Sequence, residues 1–289
     1  MMQQLNFREW TIAYRRMGQG KPVVFLHNGG TSHHIWLQVM EQLQGEYDCI
    51  AVDLLGYGAS SKPADAYTMD IYVDMVRTLL DTLELDRVSI VGNCMGSAIA
   101  LHAARALPER FRAMVLVNPL TEATFSAGWL AGALKARKAA PGLVGGLYRG
   151  LSQFQLPRWT ASSTLRFQIG RRGAEQGVHK DPTLQAQHAS DGQLRSMLAV
   201  LADIEAYAEI DAPNFAEKLP PIATIWGEDN RILSAKVGKN LHQHLRPEAS
   251  HALKGCGHLV MMEAPEEVAD AIREHFRSTS TTQEAVHAL

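Results

Sequence analysis

Residues 88–97, with the sequence VSIVGNCMGS, decide the fold class of this 289-residue chain. The run 88–91 is short and rich in β-branched residues, as buried parallel strands are. The small-residue segment 98–106 that follows the stretch predicts a helix. Between them lies a G-x-C-x-G sequence, in which two glycines allow a sharp strand-to-helix turn. We therefore predict that Cys94 is held in a strained conformation and is exposed at this turn.

Further short apolar runs predict a sheet around this strand. They are bounded by Gly, Asn, Asp or Pro and lie at residues 23–26, 49–52 and 114–117, and strand character resumes at 222–226 and 249–253. One helical stripe lies between the second run and the strand at 88–91, formed by Tyr72, Met75, Val76, Leu79, Leu80 and Leu83. Strands that alternate with helices indicate an α/β fold with a mostly parallel central sheet and helices on both faces.

Residues 121–216 lack strand character and predict a helical cap inserted into the core. The core is then formed by residues 1–120 and 217–278, and an amphipathic helix over 265–276 closes it. Residues 279–289 are polar, and we expect a frayed tail there.

Composition excludes several classes of protein. The chain has 28 Lys+Arg against 30 Asp+Glu, a formal net charge of −2, so nucleic acid and acidic membranes are not default partners. Its longest apolar runs are far below the roughly 20 residues that span a bilayer. The first ten residues lack the basic start and apolar stretch of a secretory signal. We expect a cytoplasmic protein with no membrane or nucleic-acid partner.

The three cysteines have different sequence contexts and do not make a disulfide framework. Cys49 lies in a predicted strand and Cys256 between two glycines, where packing roles are expected. Cys94 precedes a helix, whose first N–H groups are expected to lower the pKa of its thiol. A thiolate nucleophile also needs a proton acceptor and fixed donors for the oxyanion.

Several motifs in this order resemble the α/β-hydrolase fold family. Residues 27–30 (HNGG) are similar to its oxyanion loop, with Asn where Gly is usual, and residues 53–60 (DLLGYGAS) to its D-x-x-G-x-G-x-S turn. Residues 107–110 (LPER) and 255–258 (GCGH) also match. The elbow GNCMG resembles the GNSMGG of carbon–carbon bond hydrolases.

The resemblance implies the roles of four residues. Cys94 takes the place of the usual serine nucleophile, and His258 is its general base. The backbone N–H groups of Gly29 and Met95 form the oxyanion hole. No metal cluster, phosphate-binding glycine loop or dinucleotide fingerprint occurs in the sequence, so we expect no cofactor and no metal.

The third member of the triad has three candidates. The resemblance puts an acid three residues after Gly227, but that position holds Asn230, and Asp229 lies one residue earlier. Because a thiolate–imidazolium pair carries its own counter-charge, a neutral amide is sufficient to orient the ring. The alternatives are a shifted loop that presents Asp229, or Glu122, which follows the predicted strand at 114–117.

The cap is strongly basic. Residues 131–180 contain nine Lys and Arg residues and one acidic residue, Glu175, a local excess of +8. Such a surface attracts anions, and coenzyme A or an acyl carrier protein are the candidate partners. A solvated basic face is the alternative. Interleaved apolar residues are expected to pack the cap onto the core or to line an acyl pocket: Leu130, Leu134, Leu143, Leu147, Phe154, Trp159, Leu165 and Phe167.

These features predict a Cys-dependent acyl-transfer enzyme that forms a thioester acyl-enzyme on Cys94. It would be an acyltransferase, a condensing enzyme or a thioesterase acting on a small acyl substrate held by coenzyme A or a carrier. A carbon–carbon, ester or lactone hydrolase is the first alternative. A non-catalytic ligand-binding protein on a hydrolase scaffold is the second, suggested by the missing acid.

Overall fold

The computed structural model describes residues 1–128 and 131–287 and contains one eight-stranded sheet. The strands are β1 (Met2–Phe7), β2 (Trp10–Met17), β3 (Lys21–Leu26), β4 (Tyr47–Val52), β5 (Val88–Asn93), β6 (Phe111–Val117), β7 (Ile222–Gly227) and β8 (Ala249–Leu253). Their order in the sheet is β1-β2-β4-β3-β5-β6-β7-β8. The pairs from β4 to β8 are parallel, whereas β2 pairs antiparallel with β1 and with β4. The predicted α/β fold with a mostly parallel sheet is confirmed.

Helices cover the sheet and fill the connections between its strands. They are α1 (Leu37–Leu43), α2 (Met69–Thr82), α3 (Met95–Ala106), α4 (Glu122–Ser126), α5 (Ala131–Ala139), α6 (Pro141–Leu151), α7 (Ala161–Gln168), α8 (Arg171–Gln176), α9 (Pro182–His188), α10 (Gln193–Ala202), α11 (Ile204–Glu209), α12 (Ala235–Gly238), α13 (His242–Leu245), α14 (Val260–Glu263) and α15 (Pro265–His287). In the described residues between β6 and β7 there are helices and no strand.

Two apolar clusters lie on opposite faces of the sheet. Successive side chains of a strand point to opposite faces, and in β3 Val24 and Leu26 join the cluster under α2 and α3. Val23 and Phe25 join the cluster under α1 and α15. Burial on both faces explains why the central strands are continuous apolar runs.

The C-terminal helix is longer than the sequence predicts. It continues to His287, so residues 279–287 are helical, while 288 and 289 lie outside the described residues. The hydroxyls of Ser278 and Ser280 donate to the carbonyl oxygens of His275 and Phe276, both at 2.9 Å. These bonds to the preceding turn let hydroxyl side chains sit inside a helix.

The cap does not bury all of its apolar residues as predicted. Leu134 and Leu165 are buried, but Leu143, Leu147, Phe154 and Trp159 are exposed. Leu130 lies outside the described residues, as does the side chain of Arg149. In the part of the chain that the structure describes, we find no helix with both the length and the apolar character needed to cross a bilayer.

Candidate active site

The turn between β5 and α3 has the geometry of a strained elbow. Cys94 has φ 54° and ψ −112°, and its N–H donates to the carbonyl of Val117 at 2.9 Å. The glycines on either side permit close backbone contact. A Cβ on Gly92 would lie 2.3 Å from the carbonyl oxygen of Gly96, and one on Gly96 would lie 2.3 Å from that of Leu26. The strained conformation predicted for residue 94 is therefore observed.

The environment of the thiol differs from the prediction. Cys94 is 8% exposed, because the cap covers the elbow. Burial raises the pKa of the thiol to about 12, against a lowering contribution from the N–H of Met95. The sequence predicted an exposed thiol with a lowered pKa, and both expectations are corrected here. The effect of the helix N-terminus on the thiol pKa is smaller than the cost of charging a thiol under the cap.

Cys94 lies on the wall of a cavity of about 530 Å³ between core and cap. Three other predicted site residues, Gly29, Met95 and His258, line the same cavity. The remaining wall is mostly apolar and includes Leu120, Phe125, Phe167, Met197, Leu198, Val200, Leu201 and Leu233. The structure thus brings nucleophile, base and oxyanion candidates to one largely apolar cavity.

His258 is held by its backbone and not by its ring. Its N–H donates to the carbonyl of Gln168 at 2.7 Å. Its own carbonyl accepts from the side-chain amides of Asn93 at 3.3 Å and Asn118 at 3.2 Å. The Nδ1 atom is buried and has no hydrogen-bond partner in the described residues. Burial lowers the pKa of the ring to about 4, so the imidazole is neutral at physiological pH.

All three candidates for the orienting residue make other contacts in the described structure. The Oδ1 atom of Asn230 accepts from the N–H groups of Ile232 at 3.0 Å and Leu233 at 3.2 Å. A carboxylate oxygen of Asp229 accepts from the N–H of Arg171 at 3.2 Å.

The third candidate, Glu122, forms an ion pair with Lys138 of the cap. The loop after β7 therefore uses Asn230 to cap its own turn and Asp229 to hold α8. None of the three hydrogen-bonds to Nδ1 of His258.

A model of the alpha/beta hydrolase fold family matches residues 21–265. The chain belongs to the alpha/beta hydrolase fold family. Among its relatives, 2-hydroxy-6-oxo-2,4-heptadienoate hydrolase of Pseudomonas putida is 28% identical over 254 residues, which cover 86% of each protein. Haloalkane dehalogenase of Agrobacterium fabrum is 39% identical over 103 residues, or 36% of this chain. That match spans only 34% of the dehalogenase.

A solved structure shares the whole architecture. The meta-cleavage product hydrolase from Pseudomonas fluorescens superposes with a TM-score of 0.77 at 20% identity, covering 96% of this chain and 97% of that one. At this identity the likeness shows the fold alone. The family match and the relatives identify this chain as an enzyme of the alpha/beta hydrolase fold.

The family's oxyanion loop carries an unusual Asn28 here, and the structure gives it a role. Its Oδ1 atom accepts from the amide of Asn93 at 3.1 Å and from the hydroxyl of Thr31 at 2.9 Å. Its Nδ2 atom donates to the carbonyl of Gly29 at 2.9 Å. Asn28 therefore ties the loop after β3 to Asn93 at the end of β5, which a glycine cannot do.

Sequence reasoning missed Glu263, which fixes the loop that carries His258. This fully buried carboxylate accepts from the N–H groups of Gly257 at 2.9 Å, Gly170 at 2.8 Å and Gly173 at 3.3 Å. Burial raises its pKa, while these hydrogen bonds lower it. The available signal was one acidic residue inside the apolar segment after His258. Among the described residues, no group of three His, Cys, Asp or Glu side chains is arranged to hold a metal ion.

Proposed function

We propose that this protein is an acyl-transfer enzyme that forms a thioester on Cys94. The observation that carries the proposal is the strained elbow cysteine on the wall of an apolar cavity lined also by His258, Gly29 and Met95. A nucleophile, a base and backbone donors around one reacting carbon are the parts that acyl transfer needs.

The reaction begins from a neutral thiol and a neutral imidazole. As the sulfur of Cys94 attacks the acyl carbon, the thiol proton passes to Nε2 of His258, since Nδ1 is enclosed. The N–H groups of Gly29 and Met95 donate to the oxyanion of the tetrahedral intermediate. When the intermediate collapses, the bond to the leaving group breaks and the leaving group takes the proton from His258. The thioester on Cys94 remains.

The second half of the reaction transfers the acyl group to an acceptor. His258 removes a proton from water, a thiol or an amine, and the acceptor attacks the thioester carbon. The bond to sulfur then breaks, and Cys94 regains its proton from His258. Because thioesters react readily with thiols and amines, transfer and condensation are included in the proposal beside hydrolysis.

The chemistry of the cavity favours a neutral acyl chain. Among its described lining residues, the ionisable side chains are Cys94, Tyr148 and His258, with no Lys, Arg, Asp or Glu. A substrate carboxylate buried here would lack a cationic partner, at a cost of several kcal/mol by order of magnitude. The Pseudomonas putida relative acts, by its name, on a heptadienoate. A neutral ester or lactone therefore suits this cavity better than such a carboxylate.

The partner and the location are parts of the same proposal. The basic cap is the candidate site for the phosphates of coenzyme A or the acidic surface of an acyl carrier protein. The three cysteines are free thiols, which suits a reducing, cytoplasmic compartment.

Intact-mass spectrometry after incubation with acyl-CoA and short acyl thioesters tests the proposal. We expect an added acyl mass on the parent protein and on peptides containing Cys94, and none on Cys94→Ala. An added thiol or amine then distinguishes transfer from hydrolysis by the product formed. If Cys94→Ala turned over esters or lactones as fast as the parent, Cys94 would not be the nucleophile. Saturable binding of acyl ligands without adduct or turnover would favour the ligand-binding alternative.

A further inference from the structure

Helix α6 of the cap presents an apolar stripe to solvent. Leu143, Leu147 and Leu151 recur every four residues and are 78%, 58% and 41% exposed. Residues four apart share one face of a helix, so these three form a single stripe. Phe154 and Trp159, which follow the helix, are 68% and 83% exposed. We refer to these five residues as the cap ridge.

The ridge contains almost all of the exposed large apolar side chains in the described part of the chain. The others are Met1 and Met2 at the N-terminus. The adjoining face of α6 is already used for packing, because Val144 is buried and Tyr148 lines the catalytic cavity. A concentrated apolar surface on an otherwise polar exterior indicates a binding surface.

The chain segment that contains the ridge carries charge of one sign, and the acidic residues Asp65 and Asp203 of other segments lie in a pocket beside α6. Residues 123–174 contain eight Lys and Arg residues and no Asp or Glu. Arg158 directly precedes Trp159, Lys135 lies in α5 beside α6, and Arg166 lies in α7. All three are exposed, and none forms an ion pair with a described residue. The apolar ridge is therefore accompanied by uncompensated positive charge.

We propose that the cap ridge docks on the surface of an anionic lipid bilayer. The leucines, Phe154 and Trp159 would enter the boundary between headgroups and acyl chains, where aromatic rings are favoured. Lys135, Arg158 and Arg166 would lie among the lipid phosphates.

The net charge of −2, which predicted no membrane partner, conceals this asymmetry. It leaves 20 basic and 30 acidic residues for the chain outside residues 123–174. A second copy of the chain fits the ridge less well than a bilayer does. A two-fold contact places the same surface patch on both partners, so it would bring two basic surfaces together.

The position of the ridge relates it to the cavity. Tyr148 lines the cavity from the face of α6 that adjoins the ridge. A docked ridge thus places the bilayer against the same helix that lines the cavity. Membrane binding itself does not depend on the proposed acyl transfer.

Vesicle co-sedimentation tests the proposal with the full chain. We expect binding to vesicles of phosphatidylcholine mixed with phosphatidylglycerol, weak binding to phosphatidylcholine alone, and loss of binding at high salt. Leu143→Ser combined with Leu147→Ser is expected to weaken partitioning at least about tenfold. Arg158→Gln is expected to weaken it about fivefold, and Lys239→Gln, an exposed lysine outside the cap, to leave it unchanged.

Tryptophan fluorescence gives an independent readout. A blue shift on adding anionic vesicles is expected in the parent and is expected to disappear in Trp159→Phe. Ridge variants should unfold at the parental temperature or above, because the replaced side chains are exposed.

Two kinds of result would overturn the proposal. One is no binding to anionic vesicles, or equal binding by the double serine variant. The other is a dimer in sedimentation that Leu147→Ser converts to monomer while vesicles stay unbound, since a second copy then covers the ridge.

Discussion

The side-chain amide of Asn118 donates a hydrogen bond of 3.2 Å to the carbonyl oxygen of His258. The Oδ1 atom of the same residue accepts from the N–H of Gly227 at 3.1 Å. One buried side chain at the end of β6 therefore joins the end of β7 to the loop that carries the base. Together with the bonds from Asn93 and to Gln168, this connection holds the backbone of His258, whose ring has no partner at Nδ1 in the described residues.

Removing the Asn118 side chain is expected to lower both stability and turnover. The N–H of Gly227 would lose its partner, at a cost of about 1–3 kcal/mol in unfolding free energy. Asn118 has φ 42°, so Asn118→Gly removes the side chain without the backbone strain that Asn118→Ala adds. Urea unfolding and kcat measure the two effects, with the exposed Asn240→Ala as the control. Parental stability and kcat in Asn118→Gly would contradict the connection.

Cys94→Ala is expected to abolish turnover and to leave the fold intact. The thiol faces the cavity, so its removal costs little packing, whereas the acyl-enzyme cannot form. Steady-state kinetics and thermal unfolding check the two halves of this prediction. Cys49→Ala is a control for the loss of a thiol, although it removes a fully buried side chain from β4. More than trace activity in Cys94→Ala would rule out this nucleophile.

The reactivity of the Cys94 thiol is expected to be low at neutral pH. Burial raises its pKa to about 12, so the thiolate fraction grows about tenfold for each pH unit up to that value. Alkylation by iodoacetamide, followed by mass spectrometry of the Cys94 peptide, should therefore be slow near neutrality and accelerate steeply under alkaline conditions. Fast alkylation at neutral pH, lost in His258→Gln, would instead reveal a resting thiolate–imidazolium pair.

Activity is expected to persist under mildly acidic conditions. The base must be neutral to accept a proton, and burial lowers the pKa of His258 to about 4 from an ordinary 6.5. The acidic limb of kcat/KM should therefore lie near the lower value, and the profile should be flat around 6.5. A midpoint close to 6.5 in the free enzyme would contradict a buried, neutral imidazole.

The loop after β7 provides a prediction about the missing acid. Because Asn230 caps its own turn and Asp229 holds α8, Asn230→Ala and Asp229→Asn are each expected to change turnover less than about tenfold. Glu122→Gln, which breaks a surface ion pair, should behave likewise. A loss of roughly 10²–10⁴-fold in one variant, by analogy with an orienting triad residue, would identify that residue as the partner of His258.

The sheet was largely predictable from sequence because its central strands are buried on both faces. Each of β3 to β7 contains an apolar run that is visible in the sequence, whereas β1 buries only Leu5 and Phe7 and gives no comparable signal. The elbow was predictable because close backbone contact requires glycine at 92 and 96.

The electrostatics of the site were not predictable in the same way. The helix behind Cys94 is visible in the sequence, but the burial that reverses the pKa shift is a property of the folded chain, in which residues from distant segments surround the thiol. The role of Asn28 likewise depends on Asn93, which packs beside it only in the fold. The hydrogen bonds of Asn230 depend on its local turn, and a loop that is one residue longer or shorter would form a different turn.

Acid destabilisation provides a further test of the buried histidines. Burial lowers the pKa of both His27 and His258 to about 4. In the unfolded chain these groups return to about 6.5, so as pH falls from there towards 4 the unfolded state binds protons that the folded state does not. The unfolding free energy should therefore decrease by up to about 1.4 kcal/mol per pH unit for each group, and His102 and His275, also shifted downward by burial, add to the slope.

Urea unfolding between pH 6.5 and about 5 measures this slope before the unfolded carboxylates titrate appreciably. His258→Gln removes one of the two strongly shifted groups, so its slope should be shallower than that of the parent by up to about 1.4 kcal/mol per pH unit. His27 is the other strongly shifted group, and it remains in the His258→Gln variant. Its Nδ1 donates to the carbonyl of Asn28 at 2.8 Å, and its Nε2 accepts from the N–H of Leu54 at 3.0 Å. The bond accepted by Nε2 requires the neutral ring, because both nitrogens of a protonated ring are donors. A parental unfolding free energy that stays constant over this range would show that the folded state protonates these histidines as readily as the unfolded chain does.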